Sequence, residues 1–152
     1  MKILAHNKRA VFDYEILATY EAGLILFGHE AKSIKQGNIS LKEAYIDFRD
    51  GDLCLLKAHV SLYKPAAGLK VGYDPVRPRH LLLKKSEIAQ IMGKKHTSGL
   101  TLVPIKIYTK NSFVKLEFGL GQGRKKYDKR EVIKQREVKR ELSNLKKRAV
   151  RG

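Results

Sequence analysis

Apolar and polar residues alternate in several stretches of this chain with the two-residue period of a strand that faces water on one side. Phe12-Asp13-Tyr14-Glu15-Ile16-Leu17 carries that alternation through its first five residues and reads as a first strand. Glu21-Ala22-Gly23 breaks the pattern, and Leu24-Ile25-Leu26-Phe27 predicts a second strand that ends at Gly28. Glu30 to Gln36 is a short helix, with Gly37 as its C-terminal stop. Two apolar runs, Ala44–Arg49 and Leu53–Val60, flank Asp50-Gly51, a hairpin signal. Pro65 to Pro78 reads as a loop. A second helix starts at Ser86, carries Ile88, Ile91 and Met92 on one face, and ends near Gly93. Leu100–Tyr108 and Phe113–Phe118 form another hairpin around Lys110-Asn111-Ser112. Pro104 in it belongs at an edge or a bulge, because it cannot donate to the ladder. Short antiparallel strands with two small helices predict a mainly β fold, an oligonucleotide-binding-type barrel.

Beyond Gly123 the pattern changes. Val138, Leu142, Leu145 and Ala149 lie at i, i+4, i+7 and i+11, one narrow helical stripe among charges. From Arg124 to Gly152 there are 13 Lys/Arg and 4 Asp/Glu, a net +9 out of +17 for all 152 residues. The chain therefore divides into a body, residues 1–123, and a basic tail, residues 124–152. An isolated helix of this kind is marginal in water. The tail is expected to be disordered when free and helical on a polyanion, where each neutralised phosphate releases a counterion.

Such charge fits a cytoplasmic nucleic-acid binder. A peripheral membrane protein is the weaker reading, since the chain has no Trp and its tail no Phe. The first residues lack the apolar run of a signal peptide, and no run approaches the length of a membrane span. Cys54 is the single cysteine, so no intrachain disulfide can form.

Catalytic chemistry finds little support. None of His6, His29, His59, His80 and His96 pairs with Cys54 or another His at metal-ligand spacing, and no cofactor motif stands out. Gly119-Leu120-Gly121-Gln122-Gly123 lacks the spacing of a dinucleotide fingerprint and the Lys-Ser/Thr of a P-loop, and reads as a flexible strand exit. The chain is expected to be non-enzymatic, without metal or cofactor. Glu30 is a favourable charge at a helix N-terminus. Glu21 is either a solvated turn residue or an acceptor for base N–H groups. Tyr127, alone among tail charges, is either a base-stacking residue or a packed hinge residue.

Several motifs in register carry a resemblance. Asn7-Lys8-Arg9-Ala10 with Asp13-Tyr14, Glu21-Ala22-Gly23, and Gly28 with Glu30-Ala31-Lys32-Ser33-Ile34 and Gly37 come first. Asp74-Pro75 with Arg77, Arg79 and Leu81-Leu82-Leu83, then Gly99–Pro104, then Gly123-Arg124-Lys125-Lys126-Tyr127-Asp128-Lys129-Arg130 follow in order. Together they resemble the SsrA-binding protein family, also called small protein B. The resemblance implies an oligonucleotide-binding-type barrel and a role in trans-translation, the bacterial rescue of ribosomes stalled on messages without a stop codon. It implies that Asn7, Lys8, Arg9, Glu21, Lys32 and Leu82 contact the tRNA-like domain of transfer-messenger RNA (tmRNA). It places Arg124, Lys125, Lys126, Tyr127, Asp128, Lys129 and Arg130 in the decoding centre and message channel, against small-subunit ribosomal RNA. Functional association with elongation factor Tu and alanyl-tRNA synthetase is implied as well, for a monomer away from membranes. Gln122 stands where many members carry Lys, and Asn38-Ile39-Ser40 departs from the usual Lys-Ala-Asn. The rival reading is an integral ribosomal protein with a barrel and a basic extension.

Overall fold

The computed structural model describes residues 1–64, 72–96, 99–124 and 126–151, and side chains are not described for residues 126–128, 132 and 146–151. In chain order the elements are β1 (Lys2–His6), α1 (Lys8–Asp13), β2 (Tyr14–Leu24), α2 (Gly28–Lys35), β3 (Ile39–Ser40), β4 (Tyr45–Arg49) and β5 (Asp52–Leu56). After them come β6 (His59–Val60), β7 (Arg79–Leu82), α3 (Lys85–Lys95), β8 (Leu100–Lys110), β9 (Phe113–Gly123) and α4 (Lys126–Arg151). Seven strands pair in the order β1-β8-β9-β2-β7-β5-β4, every ladder antiparallel, and β3 pairs with β6 apart from them. The sheet curls until β4 packs against β8 and β3 against β1, giving the oligonucleotide-binding-type barrel with small helices outside it. Its interior is one apolar cluster, built around Leu53, Leu55, Ile107, Leu116 and Phe118, with Ile34 of α2 and Ile91 of α3 sealing it.

Both predicted hairpins form. Asp50 and Gly51 turn the first with φ of 53° and 82°, the left-handed pair of a two-residue turn matched to strand twist. Asn111 and Ser112 turn the second the same way, with φ of 51° and 68°. Pro104 flanks a register shift in β8, between Pro104 and Lys106, in line with the expected bulge.

β2 is one strand of 11 residues, where two strands with a break at Glu21-Ala22-Gly23 were expected. Gly23 fits inside it because Leu82 of β7 lies over the space a side chain would use, 3.2 Å from a Cβ built there. Residues 25–27 are not strand, and Phe12 and Asp13 belong to α1. α3 starts after Lys84 and runs through Gly93 to Lys95; Glu87 reaches back to the Lys84 N–H at 3.1 Å, which moves the start ahead of Ser86. Part of the expected loop, residues 65–71, lies outside the described residues.

The glycine run 119–123 is strand, not a flexible exit. Strand β2 crosses it so closely that a Cβ on Gly119 would lie 2.8 Å from Ile16 Cγ2, and one on Gly121 3.1 Å from Tyr14 Cβ. Space is the reason for glycine at 119 and 121, whereas a side chain at Gly123 would meet nothing within 4 Å. The tail is a single helix, α4, which meets the body at α1. Val138, Leu142 and Leu145 lie exposed along it. No helix among the described residues is long and apolar enough to cross a membrane.

Candidate nucleic-acid interface

The strand register brings Glu21 and Leu82 of the sequence motifs onto one outer face of the sheet. Leu82 of β7 stands beside Gly23 of β2, Gly23 beside Lys115 of β9, Lys115 beside Tyr108 of β8, and Tyr108 beside Ile3 of β1. Paired residues share a face, and so do residues two apart in one strand. The neighbouring row is therefore Glu21, Glu117, Lys106 and His6 on the same side. Glu21 and Leu82 are thus near neighbours on one surface.

Glu21 is a strand residue, not the turn residue expected. Its carboxylate accepts a short hydrogen bond from the Tyr108 hydroxyl and lies 3.6 Å from Lys110 Nζ. The Tyr108 bond, opposed by partial burial and aided by Lys110 and Lys115, holds the Glu21 carboxyl below the usual carboxylate range. Burial, with the neighbouring carboxylate of Glu21, pushes the Tyr108 phenol up, so it stays a donor. Tyr108 is only 4% exposed, and Glu21 holds its hydroxyl in place. Glu21→Ala is therefore expected to cost about 1 kcal/mol of stability through an orphaned hydroxyl, besides any effect on RNA. Glu21→Gln keeps an acceptor for Tyr108 and removes the charge. It should melt near wild type while weakening RNA binding several-fold. Thermal melts run beside RNA titrations check both, and tighter binding by Glu21→Gln would mean that Glu21 only repels phosphate.

The Asn7-Lys8-Arg9-Ala10 motif has a mechanical explanation. The Asn7 backbone N–H donates to the Ile105 carbonyl at 2.7 Å, and its side-chain amide to the Pro104 carbonyl at 2.9 Å. Both acceptors lie at the β8 bulge. Ala10 is buried, while Lys8 and Arg9 are exposed. One residue anchors, two cations project, and a small residue lets the turn dock. Beside them a cleft of about 330 Å³ runs between Lys8, Arg9 and the segment Ile39–Lys42. Ile39 and Ser40 of the departing segment thus border the cationic end of α1. Lys32 lies off the sheet face, its Nζ 5.7 Å from the centre of the Tyr63 ring.

In the tail, Arg124 donates its backbone N–H to the Asp13 carbonyl at 2.8 Å, and its Nε to the Val11 carbonyl at 3.2 Å. Lys129 pairs with Asp13 at 3.4 Å and covers the Phe12 ring. Arg130 is exposed. Lys125 lies outside the described residues, and so do the side chains of Lys126, Tyr127 and Asp128.

Two features escaped the sequence reading. Glu30 is not merely a charge at a helix end. It and Arg79 are both 0% exposed, joined at 2.6 Å and 3.0 Å, and Arg77 pairs with the second Glu30 oxygen. Arg79 also donates to the Ala58 carbonyl at 2.7 Å, the Pro75 carbonyl at 3.1 Å and the Tyr73 hydroxyl at 3.0 Å. The glutamate and both arginines stood in the quoted motifs; their meeting did not. The second feature is Cys54, whose Sγ lies 3.6 Å from His80 Nδ1 across the β5–β7 ladder. Burial raises its thiol pKa, which makes it a poor nucleophile. Among the described residues no three His, Cys, Asp or Glu gather as metal ligands.

A family model described as SmpB protein matches residues 4–148. The SsrA-binding protein of Sulfurihydrogenibium sp. (strain YO3AOP1) is 46% identical over 141 residues, 93% of this chain and 91% of that protein. That of Persephonella marina is 46% identical over 143 residues, 94% and 93% of the two chains. The SsrA-binding protein of Geobacillus kaustophilus is 46% identical over 141 residues, 93% and 90%. A chain from the solved structure "tmRNA-SmpB: a journey to the center of the bacterial ribosome" superposes with a TM-score of 0.62 at 39% identity, covering 84% of this chain and 92% of that one. With the model spanning nearly its whole length, and relatives this similar end to end, the chain belongs to the SmpB, or SsrA-binding, protein family.

Proposed function

We propose that this chain is a non-enzymatic RNA-binding adaptor of trans-translation. The barrel binds the tRNA-like domain of tmRNA, and α4 lies in the empty message channel of the stalled ribosome against small-subunit ribosomal RNA. The sheet face carries this reading: Glu21, Leu82 and Lys115 sit together on it, with the cations of α1 beyond its edge. The likeness to SsrA-binding proteins and to a structure of tmRNA with SmpB supports it. Asn7, in this reading, acts by aiming Lys8 and Arg9, while Glu21 and Leu82 meet the RNA directly. Lys32 supplies a contact from α2. Arg124 to Arg130 serve the decoding centre, with Tyr127 stacking on a base and Lys129 and Arg130 holding phosphates. Functional association with elongation factor Tu and alanyl-tRNA synthetase belongs to this reading, as does a monomer working in the cytoplasm.

Sequencing the RNA that co-purifies with the protein tests the partner, and recovery of ribosomal RNA alone in a salt-resistant complex would favour an integral ribosomal protein instead. The affinity itself should be strongly salt-dependent. With about six phosphates neutralised, log K falls against log[salt] with a slope of roughly −4 to −5. A slope shallower than about −2 would mean that the basic excess serves another partner.

A further inference from the structure

Phe113 is the most exposed aromatic ring on the sheet face, at 69%. It is the first residue of β9, directly after the Asn111-Ser112 turn, so a tight left-handed turn fixes the base of its side chain. A groove of about 360 Å³ opens between it and Leu82, itself 58% exposed. Gly23 keeps the floor low, because any side chain there would press on Leu82. Ser112, Lys35 and Lys115 supply its polar rim, and among the described residues the lining holds no carboxylate. An apolar slot with an aromatic wall, two cations and no acid suits a flat heterocycle attached to phosphates.

We propose that the groove between Leu82 and Phe113 takes an unpaired nucleobase of the bound RNA, with the Phe113 ring as its stacking platform and Lys35 and Lys115 on the flanking phosphates. The proposal rests on the adaptor reading above and adds a residue that none of the sequence motifs singled out. Stacking needs a ring and tolerates any base, so the groove contributes affinity without dictating sequence. A leucine at position 113 would keep the apolar area and lose the platform.

The full-length protein tests this with a tmRNA transcript. Phe113→Ala and Phe113→Leu should each weaken binding about 10-fold, and Phe113→Tyr should restore it. The chain has no tryptophan, so Phe113→Trp installs a single tryptophan at the groove, excited selectively at the red edge beyond the tyrosines. That variant should bind like wild type, and its fluorescence should be quenched as the RNA is added. Wild-type affinity in both the Ala and Leu variants would overturn the proposal, as would unchanged Trp fluorescence on RNA that demonstrably binds. A blue shift with total ribosomal protein and none with RNA would assign the groove to a protein partner and overturn it as well. Failure of the wild type to bind tmRNA would instead remove the adaptor reading. The groove is then judged by quenching with poly(U), and no quenching there overturns it too.

Discussion

A chain truncated before Arg124 is expected to fold, to bind tmRNA with reduced salt dependence, and to fail completely in tagging stalled peptides. Two observations motivate this. Among the described residues the buried apolar cluster runs from Ala22 to Leu120 and no α4 side chain belongs to it. The tail carries a net +9, and its apolar side chains Val138, Leu142 and Leu145 lie exposed. A helix like that gains little from the body and is marginal alone, so its order should depend on a wall of RNA or protein. Leu142→Pro separates a helix from a mere polycation. Proline costs roughly 3 kcal/mol inside a helix and next to nothing in a disordered chain. The variant should lose tagging in a reconstituted translation assay while keeping its affinity for free tmRNA. Normal tagging by Leu142→Pro would mean that the tail works unstructured, and normal tagging by the truncated chain would remove the division of labour altogether. Amide NMR of the free protein should show random-coil signals beyond Arg130, with helical shifts appearing on the ribosome.

The second large effect concerns stability. Removing the Glu30 carboxylate would leave the Arg79 guanidinium buried without its counter-charge, and breaking such a pair from one side costs about 3–5 kcal/mol. Glu30→Gln, which keeps the shape, should therefore lower stability almost as far as Glu30→Ala. The same group predicts an acid limb. Burial alone would raise the Glu30 pKa, but hydrogen bonds from Arg77, the Phe27 amide and Arg79 outweigh it and hold it at about 2, below its ordinary 4.5. A carboxylate depressed on folding contributes stability that is complete above its unfolded pKa and lost as pH falls toward the folded one. Denaturant melts should hold steady down to about pH 4.5 and weaken between there and about pH 2. A wild-type midpoint flat through that window, or a Glu30→Gln variant as stable as wild type, would show that the cluster is not what locks α2 to β7.

Both hairpins and the helices α2 and α3 were legible in the sequence because their signals are local, while the six-residue α1 was not and its last residues read as strand. Asp50-Gly51 and Asn111-Ser112 encode their turns in adjacent residues, and Gly37 stops α2 with φ of 85°, as a C-terminal glycine should. What was not legible depends on residues far apart. Gly23 and Gly119 looked like breaks because the side chains that use their space, Leu82 and Ile16, come from other strands. β1, β3, β6 and β7 are short, and only their partners make them strands. The same logic divides the candidate site. The cations of the tail announce themselves by composition. Glu21 was visible as a motif, but its bond to Tyr108 spans 87 positions. The Arg79–Glu30 pair spans 49. Phe113, an ordinary strand residue by pattern, becomes conspicuous only once the fold leaves its ring 69% exposed beside Leu82.

Helix α1 offers Lys8 and Arg9 at one end and holds Lys129 through Asp13 at the other. In the adaptor reading Lys129 goes to a ribosomal phosphate, and to reach one it must first let go of that carboxylate. The step is then an exchange of anions rather than a first pairing. Its free energy is the difference between two screened attractions, so added salt weakens both sides and shifts the balance less than a phosphate count implies. Asp13→Asn, by freeing the lysine in advance, would turn the exchange back into simple capture.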